Sequence, residues 1–200
     1  MKFYLASSNP GKLRDFSGMA PLEVELLPGF AALPLAIEDG ATFEANAVKK
    51  AEHYSRLSGQ RVVADDSGLE VAALGGAPGV HSARFAGPNA SDADNNRLLL
   101  ERLTGVPRKR RQAAFVCVLA LAEAGRLLAT FHGRAEGFIL EAPRGAHGFG
   151  YDPLFYSPAA GCAFGELTPE QKAHYSHRGA AARQLLAWRQ AQNARTHSHG

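Results

Sequence analysis

Apolar residues in this chain come in two spacings, and the spacings lay out the elements. Phe3 to Ser7 is an apolar run of strand length, followed at once by Asn9 and Pro10, a helix cap and a first helical position. A strand is therefore predicted to pass into a helix through Lys12–Phe16. Val24 to Leu27 reads as a second strand, and residues 28–41 as a loop rich in proline, glycine and acid. Thr42 then caps a helix whose apolar positions Phe43, Ala47, Ala51 and Tyr54 fall at i, i+4, i+8 and i+11, and Ser58-Gly59 ends it. Arg61 to Ala64 is predicted to be a brief strand stopping at a turn, Asp65-Asp66-Ser67-Gly68. Residues 91–103 form a helix with Leu99, Leu100 and Leu103 inward. Ala113 to Ala122 is apolar at every position, as in a central strand buried on both faces. Gly125 turns the chain, Leu127 to Arg134 pairs back as a hairpin, and residues 136–140 add a separate strand. Gly145 to Asp152 is a glycine-rich loop before the strand-like Leu154-Phe155-Tyr156. Thr168 caps one more helical stretch, and a last helix puts Ala181, Leu185 and Trp188 on one stripe. Strands alternate with helices and then cluster, which predicts an α/β class with a mixed sheet.

Composition narrows the function classes. Hydrophobic residues are 46% and charged residues 20% of the 200, a globular balance with neither a disorder nor a coiled-coil signature. The 22 basic and 19 acidic residues leave a net charge of +3, too little for a chain-wide polynucleotide surface. Arg108 to Arg111 is a local basic run and is read as a solvated loop. Cys117 sits inside an apolar run and reads as a small buried hydrophobe, not half of a disulfide. No segment approaches the ~20 apolar residues of a membrane span, and the first residues lack a signal-peptide pattern, so a cytoplasmic address without membrane contact is expected. The tail from Gln192 to Gly200, with His197 and His199, is polar and predicted to be disordered.

Four clusters carry candidate chemistry. Ser7-Ser8-Asn9-Pro10-Gly11-Lys12 lies at a strand-to-helix junction, where backbone N–H groups and a lysine attract phosphate. It is not a Walker A loop, because Ala6 and Leu13 stand where that motif needs glycine and a hydroxyl residue. Asp65 and Asp66 are adjacent acids at a strand end. Such a pair calls for a positive partner, with magnesium the natural one and Glu38 and Asp39 available to complete the site. Gly148-Phe149-Gly150-Tyr151-Asp152 offers flexible backbone, rings and a carboxylate to a planar heterocycle. Lys172 and Ser176-His177-Arg178-Gly179 join two helical segments and offer donors to phosphate or to a base carbonyl. Each cluster also has a plainer reading: a capped helix, an acidic turn, a tight turn over core aromatics, a polar helix junction.

Taken in order, Ser7-x-Asn9-x-x-Lys12, Thr42-Phe43-x-x-Asn46-Ala47-x-x-Lys50-Ala51, Ala64-Asp65-Asp66-Ser67-Gly68-Leu69, Gly75-Gly76-Ala77-Pro78-Gly79-x-x-Ser82-Ala83-Arg84, Gly148-Phe149-Gly150-Tyr151-Asp152-Pro153 and Ser176-His177-Arg178-Gly179 resemble the inosine triphosphate pyrophosphatase family, also called dITP/XTP pyrophosphatases. The resemblance spans residues 3 to about 188. It implies an α/β fold of two lobes around a long, twisted, mixed β-sheet with flanking helices, the active site lying in the cleft between lobes. It implies one domain over residues 1–191, a homodimer, and magnesium-dependent hydrolysis of ITP, dITP and XTP to the monophosphate and pyrophosphate. By position, Asp66 matches the general base and a metal carboxylate, and Glu38 a second metal-associated acid. Ser7 through Lys12, Lys50 and Lys172 match triphosphate-binding positions. Ser67, Phe149, Gly150, Tyr151, Asp152, His177 and Arg178 match nucleotide contacts, chiefly to the base. One position departs: Ala45 stands where many members carry a second glutamate in Phe-Glu-Glu-Asn-Ala, and Glu44 is left out of the ligand set. Two other readings compete, a Maf-like pyrophosphatase for modified pyrimidine triphosphates and a non-catalytic nucleotide- or RNA-binding module. The Gly-Phe-Gly-Tyr-Asp and Ser-His-Arg-Gly motifs speak against the first.

Overall fold

The computed structural model describes residues 2–17, 19 and 24–197. Seven strands form one mixed sheet: β1 (Phe3–Leu5), β2 (Val24–Leu26), β3 (Arg61–Val71), β4 (Gln112–Glu123), β5 (Arg126–Ile139), β6 (Phe155–Ser157) and β7 (Cys162–Ala163), in spatial order β2-β1-β3-β4-β5-β6-β7. β1 lies parallel to both β2 and β3, and every pair from β3 to β7 is antiparallel. The helices are α1 (Pro10–Ser17), α2 (Phe43–Ser58), α3 (Asp92–Arg102), α4 (Pro169–Tyr175) and α5 (His177–His197).

Two strands are longer than the sequence reading. β3 does not turn at Asp65 but runs on to Val71, paired with β4 throughout from Arg61↔Glu123 to Val71↔Ala113. Consecutive strand side chains point to opposite faces, so the Asp65 and Asp66 carboxylates take different ion-pair partners, and the ladder continues through both residues. β5 is likewise one strand, not two, because β4 offers an unbroken partner from Gln112 to Glu123. α5 continues through Gln192 to His197, where a disordered tail was expected; His199 and Gly200 lie outside the described residues.

The cores explain how one sheet makes two lobes. On one face of β3 and β4, Val63, Cys117, Leu119 and Leu121 pack with Phe3, Phe16 and the α5 stripe Ala181, Ala182 and Leu185. On the same face but at the other end of the strands, Leu69, Val71, Ala113 and Phe115 pack with Leu99, Leu154, Phe155 and Phe164. Asp65 and Ser67 lie between these clusters, so a polar belt crosses the sheet where the apolar face is interrupted. The opposite face is covered by α2 through Phe43, Ala47 and Ala51. Thr42 caps α2 as predicted, accepting from the Ala45 N–H at 3.1 Å. The basic run departs from a solvated loop at Arg111, which is buried and donates to the carbonyls of Leu103, Val106 and Leu140, closing the end of α3 against β5. Cys117 is buried and unbridged.

Candidate active site

β1 stops at Leu5, its register ending at Leu5↔Val63, so the edge of β3 beyond Val63 is uncovered. A cleft of about 400 Å³ opens there, at the carboxyl end of β1 and across the polar belt. Ligands gather at such strand ends in open α/β sheets. Every residue assigned a role from sequence lines this cleft except Pro10 and Gly11. Gly11 acts indirectly: a Cβ there would overlap the Phe149 ring, so the missing side chain lets the aromatic loop close onto α1. Asn9 caps α1, its Oδ1 accepting from the N–H of Gly11 at 2.8 Å and of Lys12 at 3.1 Å. Two of the helix-end donors expected to meet phosphate are thus already engaged.

The adjacent carboxylates differ in chemistry because they differ in partners. Asp65 is fully buried and saturated. Arg178 Nε donates to it at 2.8 Å and Ser67 Oγ at 3.0 Å, Cys117 Sγ lies 3.3 Å away, and Lys12 Nζ pairs with it. Burial alone would raise its pKa, but the Arg178 guanidinium and the Lys12 ammonium override that and hold the carboxyl well below the usual carboxylate range. Asp66 faces α2. Its Oδ1 accepts from Lys50 Nζ at 3.1 Å, while its Oδ2 is buried with no hydrogen-bond partner. Burial pushes the Asp66 carboxyl up, only partly offset by Lys50 and Lys12. Lys50 falls on the buried stripe of α2 with Ala47, Ala51 and Tyr54, an odd place for a cation unless carboxylates await it. It bridges Glu38 Oε2 at 2.8 Å and Asp66 Oδ1.

Lys172 and Arg178 are held by a carboxylate that the sequence reading passed over. Asp15, buried on the inner face of α1, accepts from Lys172 Nζ at 3.2 Å and from Arg178. Lys172 also meets Asp152 Oδ2 at 2.6 Å, and Asp152 in turn accepts from the Phe149 N–H at 2.9 Å. Lys172 lies 4.9 Å from the centre of the Phe149 ring. Lys172 and Asp152 thus satisfy one another inside the protein and set the Phe149 loop. The only sequence signal for Asp15 was its position four residues after Gly11, on the same helix face.

His177 begins α5, stacked on Phe115 with ring centres 4.7 Å apart. Its Nδ1 is buried without a partner. Burial, reinforced by the positive Arg178 and Lys172, pushes its pKa well below the usual value, so the ring is neutral. The unfolded imidazole takes up a proton below about pH 6.5 and the folded one does not. Stability is therefore expected to be level, as far as this group goes, above that pH. It should decline as pH drops from there towards the depressed folded value, by up to ~1.4 kcal/mol per pH unit. Tm measured from pH 7 to 5 should fall less steeply for His177→Gln than for the wild type; equal slopes would show that this imidazole is not held neutral.

The sequence-suggested Asp39 lies outside the cleft, and so does Glu44, which the sequence reading leaves out of the ligand set. Asp39 pairs with Lys49 on the surface, and Glu44 turns towards His132, 3.7 Å away. Neither lines the cleft. Besides Asp15, the sequence reading overlooked Phe115, Asp92 and Asn95, and it quoted Ser82 and Arg84 in a motif without giving either a role; all five line the cleft.

A sequence model described as the Ham1 family matches residues 3–188. A dITP/XTP pyrophosphatase of Syntrophobacter fumaroxidans is 52% identical over 184 residues, covering 90% of this chain and 78% of that protein. One of Thermus thermophilus is 52% identical over 188 residues, covering 93% and 90%. Among solved structures, the Staphylococcus aureus Ham1 protein superposes with a TM-score of 0.84 at 38% identity, covering 96% of this chain and all of that one. A match over nearly the whole chain, with the cleft residues brought together as the motifs require, places this protein in the Ham1 family.

Proposed function

We propose that the cleft hydrolyses deaminated purine nucleoside triphosphates, ITP, dITP and XTP, to the monophosphate and pyrophosphate. The names of the relatives support this substrate class. The observation that carries the chemistry is Asp66: a buried carboxylate oriented by Lys50, with its second oxygen unpartnered at the cleft wall. Asp66 Oδ2 accepts a proton from the water that attacks the α-phosphorus, and a carboxyl raised by burial is a better base than a solvated one. Lys12 and Lys50 lie on the polyphosphate side, beside Ser7 and Asn9. Phe149 lines the cleft where the purine would sit. The 6-oxo group of hypoxanthine or xanthine accepts from the donors of His177 and Arg178, where the 6-amino group of adenine, itself a donor, leaves them unpaired.

Charge argues for a divalent cation. Five cations (Lys12, Lys50, Arg84, Lys172 and Arg178) and five carboxylates (Glu38, Asp65, Asp66, Asp92 and Asp152) line the cleft, with Asp15 behind them. The cleft has no positive surplus for a polyanion. The half-exposed Glu38 and the Asp66 carboxylate are hard oxygen donors of the kind magnesium takes together with substrate phosphates. Asp66 and Glu38 would hold it, and when bound it would neutralise phosphate oxygens as charge develops on them. Among the described residues there is no cluster of three or more acidic, histidine or cysteine side chains fit to hold a metal. A homodimer in the cytoplasm remains part of this reading on the family resemblance; no described helix is long and apolar enough to cross a membrane.

The test is a panel of ITP, XTP, GTP and ATP with separate detection of pyrophosphate and phosphate. ITP and XTP should turn over at least ~10²-fold faster than ATP, the discrimination that hydrogen-bond donors to a substrate group can supply. Pyrophosphate should be the product, and chelation by EDTA should stop the reaction. Equal rates on all four, or phosphate alone as the released product, would overturn the assignment.

A further inference from the structure

Arg84 is the one cation lining the cleft that has no anionic partner among the described residues. Lys12 is tied to Asp65, Lys50 to Glu38 and Asp66, Lys172 to Asp15 and Asp152, and Arg178 to Asp15 and Asp65. Arg84 is exposed, lines the cleft wall, and makes no side-chain hydrogen bond or ion pair with the described residues.

The backbone that carries it is built with unusual care for an exposed segment. Asn95, buried on α3, uses both ends of its amide on the chain either side of Arg84. Its Nδ2 donates to the Ala83 carbonyl at 3.2 Å, and its Oδ1 accepts from the Ala86 N–H at 2.8 Å. Tyr151 donates its hydroxyl to the Ser82 carbonyl at 2.8 Å. Ser82 Oγ in turn accepts from the Leu69 N–H at 2.9 Å and donates to the Gly79 carbonyl at 2.6 Å, which fastens the segment to β3 two residues past Ser67. Gly68 allows that approach, since a Cβ there would overlap Ser82 Oγ. Three buried polar side chains thus fix the backbone around a guanidinium that no described side chain holds.

We infer that Arg84 is a substrate-binding residue that engages the polyphosphate. A planar guanidinium pairs with phosphate oxygens through parallel N–H donors, and the other cleft cations already have carboxylates to satisfy. Asn95, Tyr151 and Ser82 are then positioning residues, setting where the fork enters the cleft. Fixing the backbone while leaving the side chain free lowers the ordering cost of binding without a competing carboxylate.

The inference rests on the triphosphate substrate proposed above, so the experiment separates the two. Arg84→Ala and Arg84→Lys are made in the full chain. Binding of inorganic tripolyphosphate with magnesium is measured by calorimetry, and KM and kcat for ITP and inhibition by IMP are measured by kinetics. Arg84→Ala should weaken tripolyphosphate binding and raise KM for ITP about 10-fold or more, the loss expected for one charge-assisted pair, with a smaller change in kcat. Inhibition by IMP, which lacks the β- and γ-phosphates, should be unchanged, as should Tm, because the side chain has no partner to lose. Arg84→Lys should recover part of the affinity, since a point charge replaces a fork. Unchanged tripolyphosphate binding, or equal weakening of IMP and ITP, would overturn the role. If wild type binds tripolyphosphate through Arg84 but does not turn over ITP, the substrate reading fails and the phosphate role stands.

Discussion

Asp66→Asn is expected to lower kcat on ITP by ~10²–10⁴-fold, the range a positioned general base contributes, with Tm not reduced. An amide cannot take the proton of the attacking water. It can still accept from Lys50 through its carbonyl oxygen, and Lys50 keeps Glu38 as counter-ion at 2.8 Å. The substitution also removes a charge that burial disfavours, since desolvation is the largest influence on this carboxyl. The neighbouring change, Asp65→Asn, should behave in the opposite way and lower Tm. Asp65 is the counter-charge of Arg178 and Lys12 and is held well below the usual carboxylate range. Its contribution to stability is present at neutral pH and is lost only as pH falls below the ordinary carboxylate value of about 4 towards its depressed one. Kinetics and thermal melts of the two variants side by side check this. Wild-type turnover by Asp66→Asn would remove Asp66 from its role.

Arg178→Ala is expected to cost about 3–5 kcal/mol of folding stability, the penalty for breaking a buried ion pair from one side. Arg178 is 2% exposed and is bonded to Asp65, Asp15 and Ser67 at once. Without it Asp65 keeps Lys12 and Asp15 keeps Lys172, but both lose the donor that lay between them. The belt joins α1, α5 and β3 across the break in the apolar face, so the loss should appear as a lower midpoint in urea together with loss of ITP turnover. Arg178→Lys should recover only part of the stability, because an ammonium cannot serve three acceptors spread along a guanidinium plane. A midpoint within experimental error of wild type would show that the belt does not hold the two cores together. The intact network is not thereby a large net stabiliser, since desolvating its charges offsets most of their attraction.

Much of this was legible along the chain. Alternation of strand-length apolar runs with the i, i+4, i+8, i+11 stripe of α2 was enough for the fold class, because burial of one face demands those periods. Caps at Asn9, Thr42 and Thr168 were readable because short side chains before a helix have few other uses. The ordered motifs found most of the charged and polar residues lining the cleft. Besides the single strand β5 and the longer α5, what failed were predictions about acidic and charged segments. Asp65-Asp66-Ser67-Gly68 looks like a turn locally, but a fully paired neighbour, β4, carries it as strand. Arg111 looks solvated within a basic run, yet three carbonyls at the end of α3 and beside β5 receive it.

By itself the sequence determined which elements form, which faces they bury, and that a phosphate-, acid- and base-reading set of side chains is present in order. These depend on spacing and residue type, which are local. Only the tertiary structure decided what each charge does. It gave Asp65 to Arg178 and Lys12, left Asp66 with a buried unpartnered oxygen, enclosed Lys172 between Asp15 and Asp152, and left Arg84 at the cleft wall without an anionic partner among the described residues. The reason is that a buried charge is defined by its partners, and here the partners lie up to 163 residues away along the chain. Adjacent aspartates become a structural counter-ion and a base because strand geometry sends them to opposite faces and burial makes each answer to the charges it meets there.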